Sequence, residues 1–229
     1  MSKNIDKIIY INLNKRTDRR EHIENQLTNY NLPFERFEAI ETTGTIQKYY
    51  GTFNTGIIGC GISHLNVLKI AKDRGYENIL IFEDDFEFLI SKEEFEEQLE
   101  LFFNSNINYN VCMLSYNIQK KEENFNSELL FKIICSQSAS GYIVHKNYYD
   151  TLINLYEWAL PLLESTGETW IYSNDIVWKE LQVNDKWFGF KKELANKWMD
   201  LVITLIVFNT ITVRIYYSLI LIIININYY

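Results

Sequence analysis

The stretch that most constrains this chain is Ile79-Leu80-Ile81-Phe82-Glu83-Asp84-Asp85, an apolar run that ends in consecutive acids. An unbroken apolar run bounded by polar residues reads as a strand buried on both faces of a sheet. Adjacent carboxylates at its carboxyl end repel one another and push up one another's pKa unless a positive charge sits among them. That same edge is where ligands bind in open α/β sheets. A divalent cation, itself holding a phosphate, would relieve the repulsion and satisfy the oxygens. Side chains alternate along a strand, so Glu83 and Asp85 are expected to project together and Asp84 the other way. Asp85 is the first candidate for direct metal contact and Glu83 the second. The alternative is a strand that runs into an acidic turn.

Around this edge the chain alternates between strand and helix signals. Lys7 to Leu13 is β-branched and apolar and reads as a first strand. Thr17 is expected as an N-cap, Asp18 falls in the first helical turn, and Ile23, Leu27 and Tyr30 make one helical stripe. Pro33 to Ala39 reads as a second strand. Arg16, Arg19 and Arg20 cluster at a strand-to-helix turn, where a diphosphate or ribose would lie in a nucleotide-binding fold; a solvated basic helix start would look the same. Glu41 to Gly56 reads as a loop or flap. Ile57 to Arg74 is a helix with His64 on an apolar stripe beside Ser63, the usual setting of a core histidine with one hydrogen-bond partner. Gly56, Gly59 and Gly61 do not form a G-x-G-x-x-G fingerprint after a strand. No G-x-x-x-x-G-K-[ST] loop occurs either, which argues against a phosphoryl-transfer enzyme of the P-loop class.

The second half continues the alternation. Ser91 with Glu94 forms a capping box and Ile90 with Phe95 a hydrophobic staple. Val111 to Tyr116 and Leu129 to Cys135 read as strands, with a polar loop from Lys120 to Asn126 between them. Ser138 to Gly141 is a run of small residues suited to close approach of a backbone or a sugar. A helix from Asn147 is expected to stop at Pro161. Another spans Trp170 to Gln182 and carries Asp175 at the edge of an apolar stripe. An acid held there is partly desolvated, which suits general-base work; pairing with Lys179 at i+4 is the alternative. Trp158, Trp170, Trp178 and Trp187 are either a sugar-stacking platform or core.

Charge and composition narrow the class. The 229 residues are 47% hydrophobic, enough for one sizeable globular domain. A net charge of −8 excludes a general nucleic-acid binder, which needs a basic face. Cys60, Cys112 and Cys135 read as reduced structural thiols in an intracellular protein, and Ile8 to Leu13 is too short for a signal peptide.

Several of these motifs, in the same order, resemble glycosyltransferase family 25. They are Ile9-Tyr10-Ile11-Asn12-Leu13 with Arg16, Asp18 and Arg19; Gly59-Cys60-Gly61-Ile62-Ser63-His64; the Leu80 to Asp85 strand; Ser140-Gly141-Tyr142; and the late Asp175. The resemblance covers roughly Lys7 to Phe190. It implies an α/β fold of the GT-A-like (Rossmann-related) kind, a mixed sheet flanked by helices. It also implies a nucleotide-sugar donor such as a UDP-hexose, a glycan or protein acceptor, Mn²⁺ or Mg²⁺ as cofactor, and inversion at the anomeric carbon. On this reading Glu83 and Asp85 hold the metal. Asn12, Arg16, Asp18, Arg19, Ser63, His64 and Asp84 line the donor site, and Asp175 is the catalytic base. A catalytically inactive nucleotide-sugar or carbohydrate-binding module on the same fold is the competing expectation.

The division expected is a domain over residues 1–190 followed by a hydrophobic tail over residues 191–229. Leu201 to Ile224 is nearly all apolar and long enough to cross a bilayer. Arg214 near its middle costs about 2.5–3.5 kcal/mol on insertion scales, and Lys191, Lys192 and Lys197 would form a cytoplasmic flank. Translation of a shifted, A/T-rich frame is the other account of the tail. The localisation expected is cytoplasmic, with membrane association through residues 201–224 if the tail is an anchor.

Overall fold

The structure is a computed structural model that describes residues 4–42, 44–48 and 51–197. The expectations for the tail, anchor or shifted frame, lie outside the described residues. Among the described residues no helix is long and apolar enough to cross a membrane.

The first strand, β1 (Lys7–Asn12), leads into α1 (Thr17–Asn29) and returns as β2 (Glu35–Glu38). Helix α2 (Gly56–Asp73) feeds β5 (Asn78–Glu83), the apolar run singled out above. Strand β1 pairs in parallel with both β2 and β5, with Ile9 opposite Ile81 and Ile11 opposite Glu83. Three further strands extend the sheet: β7 (Val111–Met113), β9 (Leu130–Gln137) and β10 (Gly141–His145). With β8 (Asn117–Lys121) and β11 (Trp187–Phe190), the order across the sheet is β2-β1-β5-β10-β7-β11-β9-β8. Strand β10 is antiparallel to both its neighbours and β11 is parallel to β7, so the sheet is mixed, as expected.

Each face of this sheet is apolar and each is covered. Ile9, Ile11, Ile79 and Ile81 point to the side packed by Leu65, Val67 and Leu68 of α2 and by Leu152, Tyr156 and Leu163 of α4 (Tyr149–Thr166). Ile8, Tyr10, Leu80 and Phe82 point to the other side, against Ile23 and Leu27 of α1 and Phe95, Leu99 and Phe102 of α3 (Lys92–Asn104). The two-residue period of β1 and β5 thus serves two cores at once, which is why both read as continuous apolar runs. The Ser91–Glu94 capping box starts α3 as expected, each side chain bonding the other's backbone N–H.

Several elements differ from their sequence reading. Arg16, not Thr17, takes the N-cap position of α1. The expected loop from Glu41 to Gly56 contains a hairpin, β3 (Thr45–Lys48) with β4 (Gly51–Asn54), and part of the expected polar loop after Lys120 is the end of β8. Helix α4 runs through Pro161 and ends at Gly167, whose φ of 74° suits a left-handed cap. Pro161 and Glu157, whose carbonyl loses its helical partner, both lie on the exposed face, while Leu160 and Leu163 beside them stay buried. The expected helix from Trp170 to Gln182 is three short pieces: α5 (Thr169–Tyr172), α6 (Asn174–Val177) and α7 (Lys179–Asn184). It breaks at Ser173, whose backbone is extended, and Asn174 turns inward there. Packed strand continues past the expected boundary at 190, because β12 (Ala195–Lys197) pairs with β6 (Phe86–Phe88).

Candidate active site

The parallel pairing of β1 with β5 sets Asn12 and the acidic turn side by side at one carboxyl edge, where a cavity of about 350 Å³ opens. Strand β5 ends at Glu83, and Asp84 and Asp85 form the turn into β6. The Glu83 backbone N–H donates to the Ser140 carbonyl at 2.9 Å, tying the turn to the run of small residues.

The acids are separated by cations. Lys197 Nζ lies 3.1 Å from Glu83 Oε2 and 3.2 Å from Asp85 Oδ2, so those two carboxylates do converge. Arg19 donates to Asp84 Oδ1 at 3.1 Å and to Asp85 Oδ2 at 3.3 Å. Asn12 donates its amide to Asp84 Oδ2 at 2.7 Å and to the Arg16 carbonyl at 3.1 Å, while Arg36 Nε donates to Asn12 Oδ1 at 3.2 Å. These bonds fix the orientation of the Asn12 amide. Asp85 is only 5% exposed, and its Oδ1 is buried with no hydrogen-bond partner among the described residues.

This packing splits the acids electrostatically. Burial, and then the charge of Glu83, push Asp85 up from the ordinary 3.8 to about 7 against the pull of Lys197 and Arg19. Asp84 is also raised by burial, opposed by its bonds to Asn12 and Arg19. For Glu83 burial acts in the same direction, but Lys197 and His64 outweigh it and hold the carboxyl well below its usual range. The Lys197 ammonium is stabilised in turn, chiefly by Glu83.

Helix α2 supplies the opposite wall. Cys60 and His64, one turn apart, both line the cavity. His64 Nε2 is 3.1 Å from Glu83 Oε1, and its Nδ1 is 2.7 Å from the Tyr142 hydroxyl. Ser63 faces elsewhere: its hydroxyl donates to the Gly59 carbonyl at 2.6 Å and accepts from the Ile40 N–H at 2.9 Å.

Of the residues singled out in the sequence, Asn12, Arg16, Arg19, His64, Glu83, Asp84 and Asp85 line this one cavity. Asp18, Ser63 and Asp175 are not part of the lining that the described residues form. Asp18 is exposed and paired with Arg16 at 2.6 Å, a bond that holds its carboxyl far below the ordinary range. Asp175 Oδ2 accepts the Ser138 N–H at 3.1 Å and so anchors a residue with φ of 83°. Trp178 and Trp187 are core, whereas Trp158 and Trp170 are 56% and 53% exposed, so the four do not form one platform.

Sequence reasoning missed Lys197 and Cys60. Lys197 was expected in a membrane flank and lies in the cavity instead, 114 residues from its partner Glu83; nothing in local sequence announces that. Cys60 was expected as a structural thiol; the signal for it was its i, i+4 spacing from His64 on one helix face.

Comparison with known proteins gives a consistent pattern. Residues 5–162 match the family described as glycosyltransferase family 25 (LPS biosynthesis protein). The lipooligosaccharide biosynthesis protein lic2B of Haemophilus influenzae is 26% identical over 159 residues, 59% of this chain and 58% of that protein. The R655 protein of Acanthamoeba polyphaga mimivirus, named as a glycosyltransferase, is 39% identical over 105 residues, 41% of this chain and 32% of that one. The chain thus spans less than two thirds of the length of these relatives. Among solved structures, a glycosyltransferase involved in glycosylation of the major capsid of PBCV-1 superposes with a TM-score of 0.47 at 14% identity, over 80% of each chain.

Proposed function

This chain belongs to glycosyltransferase family 25, and from that premise we propose that it moves a hexose from a UDP-sugar to a hydroxyl of a glycan or protein acceptor, inverting the anomeric carbon with a divalent cation at the acidic edge. The observation that carries the reading is the convergence of Asn12, Arg19 and the Glu83 to Asp85 turn on one cavity at the carboxyl edge of β1 and β5.

The residues fit a hard dication. Glu83 Oε2 and Asp85 Oδ2 already share one cationic group, Lys197 Nζ, and Asp85 Oδ1 is buried with no hydrogen-bond partner among the described residues. All are carboxylate oxygens, the donors that Mn²⁺ and Mg²⁺ take. Bound there, such an ion would supply charge stabilisation for the diphosphate leaving group. Arg16 and Arg19, at the start of α1, are assigned to the phosphates as fixed positive charges. The Asn12 amide, held from three sides, is assigned to donor contact without reorganisation on binding. Asp175 is assigned the proton of the attacking hydroxyl. Its neighbour Asn174 donates to Cys60 Sγ at 3.7 Å, so this segment adjoins the cavity wall.

The experiment is a panel of UDP- and GDP-sugars with and without Mn²⁺, read as nucleotide release. Slow hydrolysis of a UDP-hexose that depends on Mn²⁺ is the expected result. One observation favours a second reading, a silent nucleotide-sugar-binding module: Lys197 and Arg19 already place positive charge between the acids. Binding of a sugar nucleotide with no release across the panel would establish that reading and refute the transferase.

For the base, Asp175→Asn is expected to keep donor affinity while turnover falls by about 10²–10⁴-fold. Calorimetry beside turnover separates the roles. Lost donor binding would make Asp175 a binding residue, and unchanged turnover would leave it as the anchor of Ser138.

A further inference from the structure

We propose that Cys60, His64 and Glu83 form a binding site for a borderline divalent cation of the Zn²⁺ class, beside the acidic edge that Lys197 occupies and sharing Glu83 with it. Glu83 stands between two environments: Oε2 faces Lys197, while Oε1 faces Cys60 Sγ at 3.6 Å and His64 Nε2 at 3.1 Å. One ligand atom from each of the three residues lies within 4.8 Å of the other two. A tetrahedral shell with bonds of about 2.0–2.3 Å sets its ligand atoms roughly 3.3–3.8 Å apart, so two of the three separations are already close to what an ion requires.

The ligand chemistry selects the ion. A thiolate and an imidazole favour Zn²⁺ over Mn²⁺ or Mg²⁺, which prefer the all-oxygen edge next door. Supporting contacts are present as well. The buried Tyr142 hydroxyl holds His64 Nδ1 at 2.7 Å, the kind of partner that orients a ligating imidazole, and Asn174 Nδ2 donates to Cys60 Sγ. All three ligands line the cavity, which provides an entry path and an open fourth position. On binding, the Cys60 thiol proton leaves to solvent and its sulfur takes the metal. His64 ligates as the neutral imidazole with its proton on Nδ1, facing the Tyr142 oxygen, and its Nε2 lone pair on the ion. Glu83 contributes Oε1 and keeps Lys197 on Oε2. Nothing is oxidised or reduced.

The test uses the purified full chain, freed of metal and without any sugar nucleotide, titrated with Co²⁺ and then Zn²⁺. One thiolate-ligated Co²⁺ per chain is expected, read as a thiolate-to-cobalt charge-transfer band that saturates at one equivalent and that Zn²⁺ abolishes. Cys60→Ser should remove the band and weaken Zn²⁺ binding by at least about tenfold, whereas Asp85→Asn should retain the band. In the unmodified chain, Zn²⁺ should slow alkylation of Cys60 but not of Cys135, read by mass spectrometry; this arm decides the matter if Cys60→Ser fails to fold. Absence of the band, its survival in Cys60→Ser, or alkylation of Cys60 unaffected by Zn²⁺ would each overturn the site. None of these results depends on sugar transfer, so failure here leaves the transferase proposal standing.

Discussion

Asp85→Asn is expected to lose transfer and gain stability. The proposed catalytic loss is about 10²–10³-fold, the usual cost of removing one charged stabiliser of a developing anion. The gain in stability follows from linkage. Asp85 is raised from the ordinary 3.8 to about 7, so between roughly pH 4 and 7 the folded chain holds a proton that the unfolded chain has released. Stability from this group is therefore present at low pH and is lost as pH rises through that window. At pH 8 the buried charge costs about 4 kcal/mol, at about 1.4 kcal/mol per unit. Asparagine presents no such charge. Asp84, raised as well, adds a slope of the same sign. Glu83 is shifted downward, so its contribution is lost only below about pH 4.5, outside the range tested. Urea unfolding with chelator at pH 5 and pH 8 checks this. The wild type should weaken on going to pH 8 and the variant should weaken much less. Parallel behaviour of the two would refute the assignment of the charge to Asp85.

Gly141→Ala is the second change with a large expected effect. In β10, Gly141 lies opposite Phe82 of β5, and a methyl group on its Cα would come within 2.4 and 2.5 Å of Phe86 ring carbons. Phe86 is fully buried between Phe82 and Phe88, with ring centroids at 4.3 and 4.8 Å, so it has little room to retreat. Overpacking of this kind costs about 3 kcal/mol, a drop of roughly 6–12 °C in Tm for a domain of this size. Because Phe86 directly follows Asp85, the acidic turn should shift with it. Donor affinity is then expected to fall in a variant that is still folded at low temperature. A melting point within 2 °C of wild type would show that the ring yields freely.

How much of this could be read in the chain depended on the range of the interaction. Strand β5 was legible because burial on both faces leaves an uninterrupted apolar run, and α3 because a capping box is a local signal. The α4 terminus was misread because the gain from burying Leu163 outweighs a proline on the solvent side. The helix from Trp170 was misread because its break serves Asn174, a residue packed against Cys60 on another helix. At the site, the acids were legible from their position at a strand end, whereas Asn12 and Arg19 followed from the family resemblance; all of them line the one cavity. The small residues were legible as a place of close backbone approach, which the Ser140 carbonyl makes with the Glu83 N–H; that Gly141 makes room for a phenylalanine ring was not.

Lys197 reaches the acids from β12, whose partner is the short strand that the acidic turn itself leads into. A fragment cut at Phe190 would therefore forfeit a counter-ion along with a strand, and would meet its ligands with a more anionic pocket than the longer chain has. If the acidic edge holds a cation as proposed, affinities measured on such a fragment would overstate those of the longer chain, because the competitor would be missing from the tube.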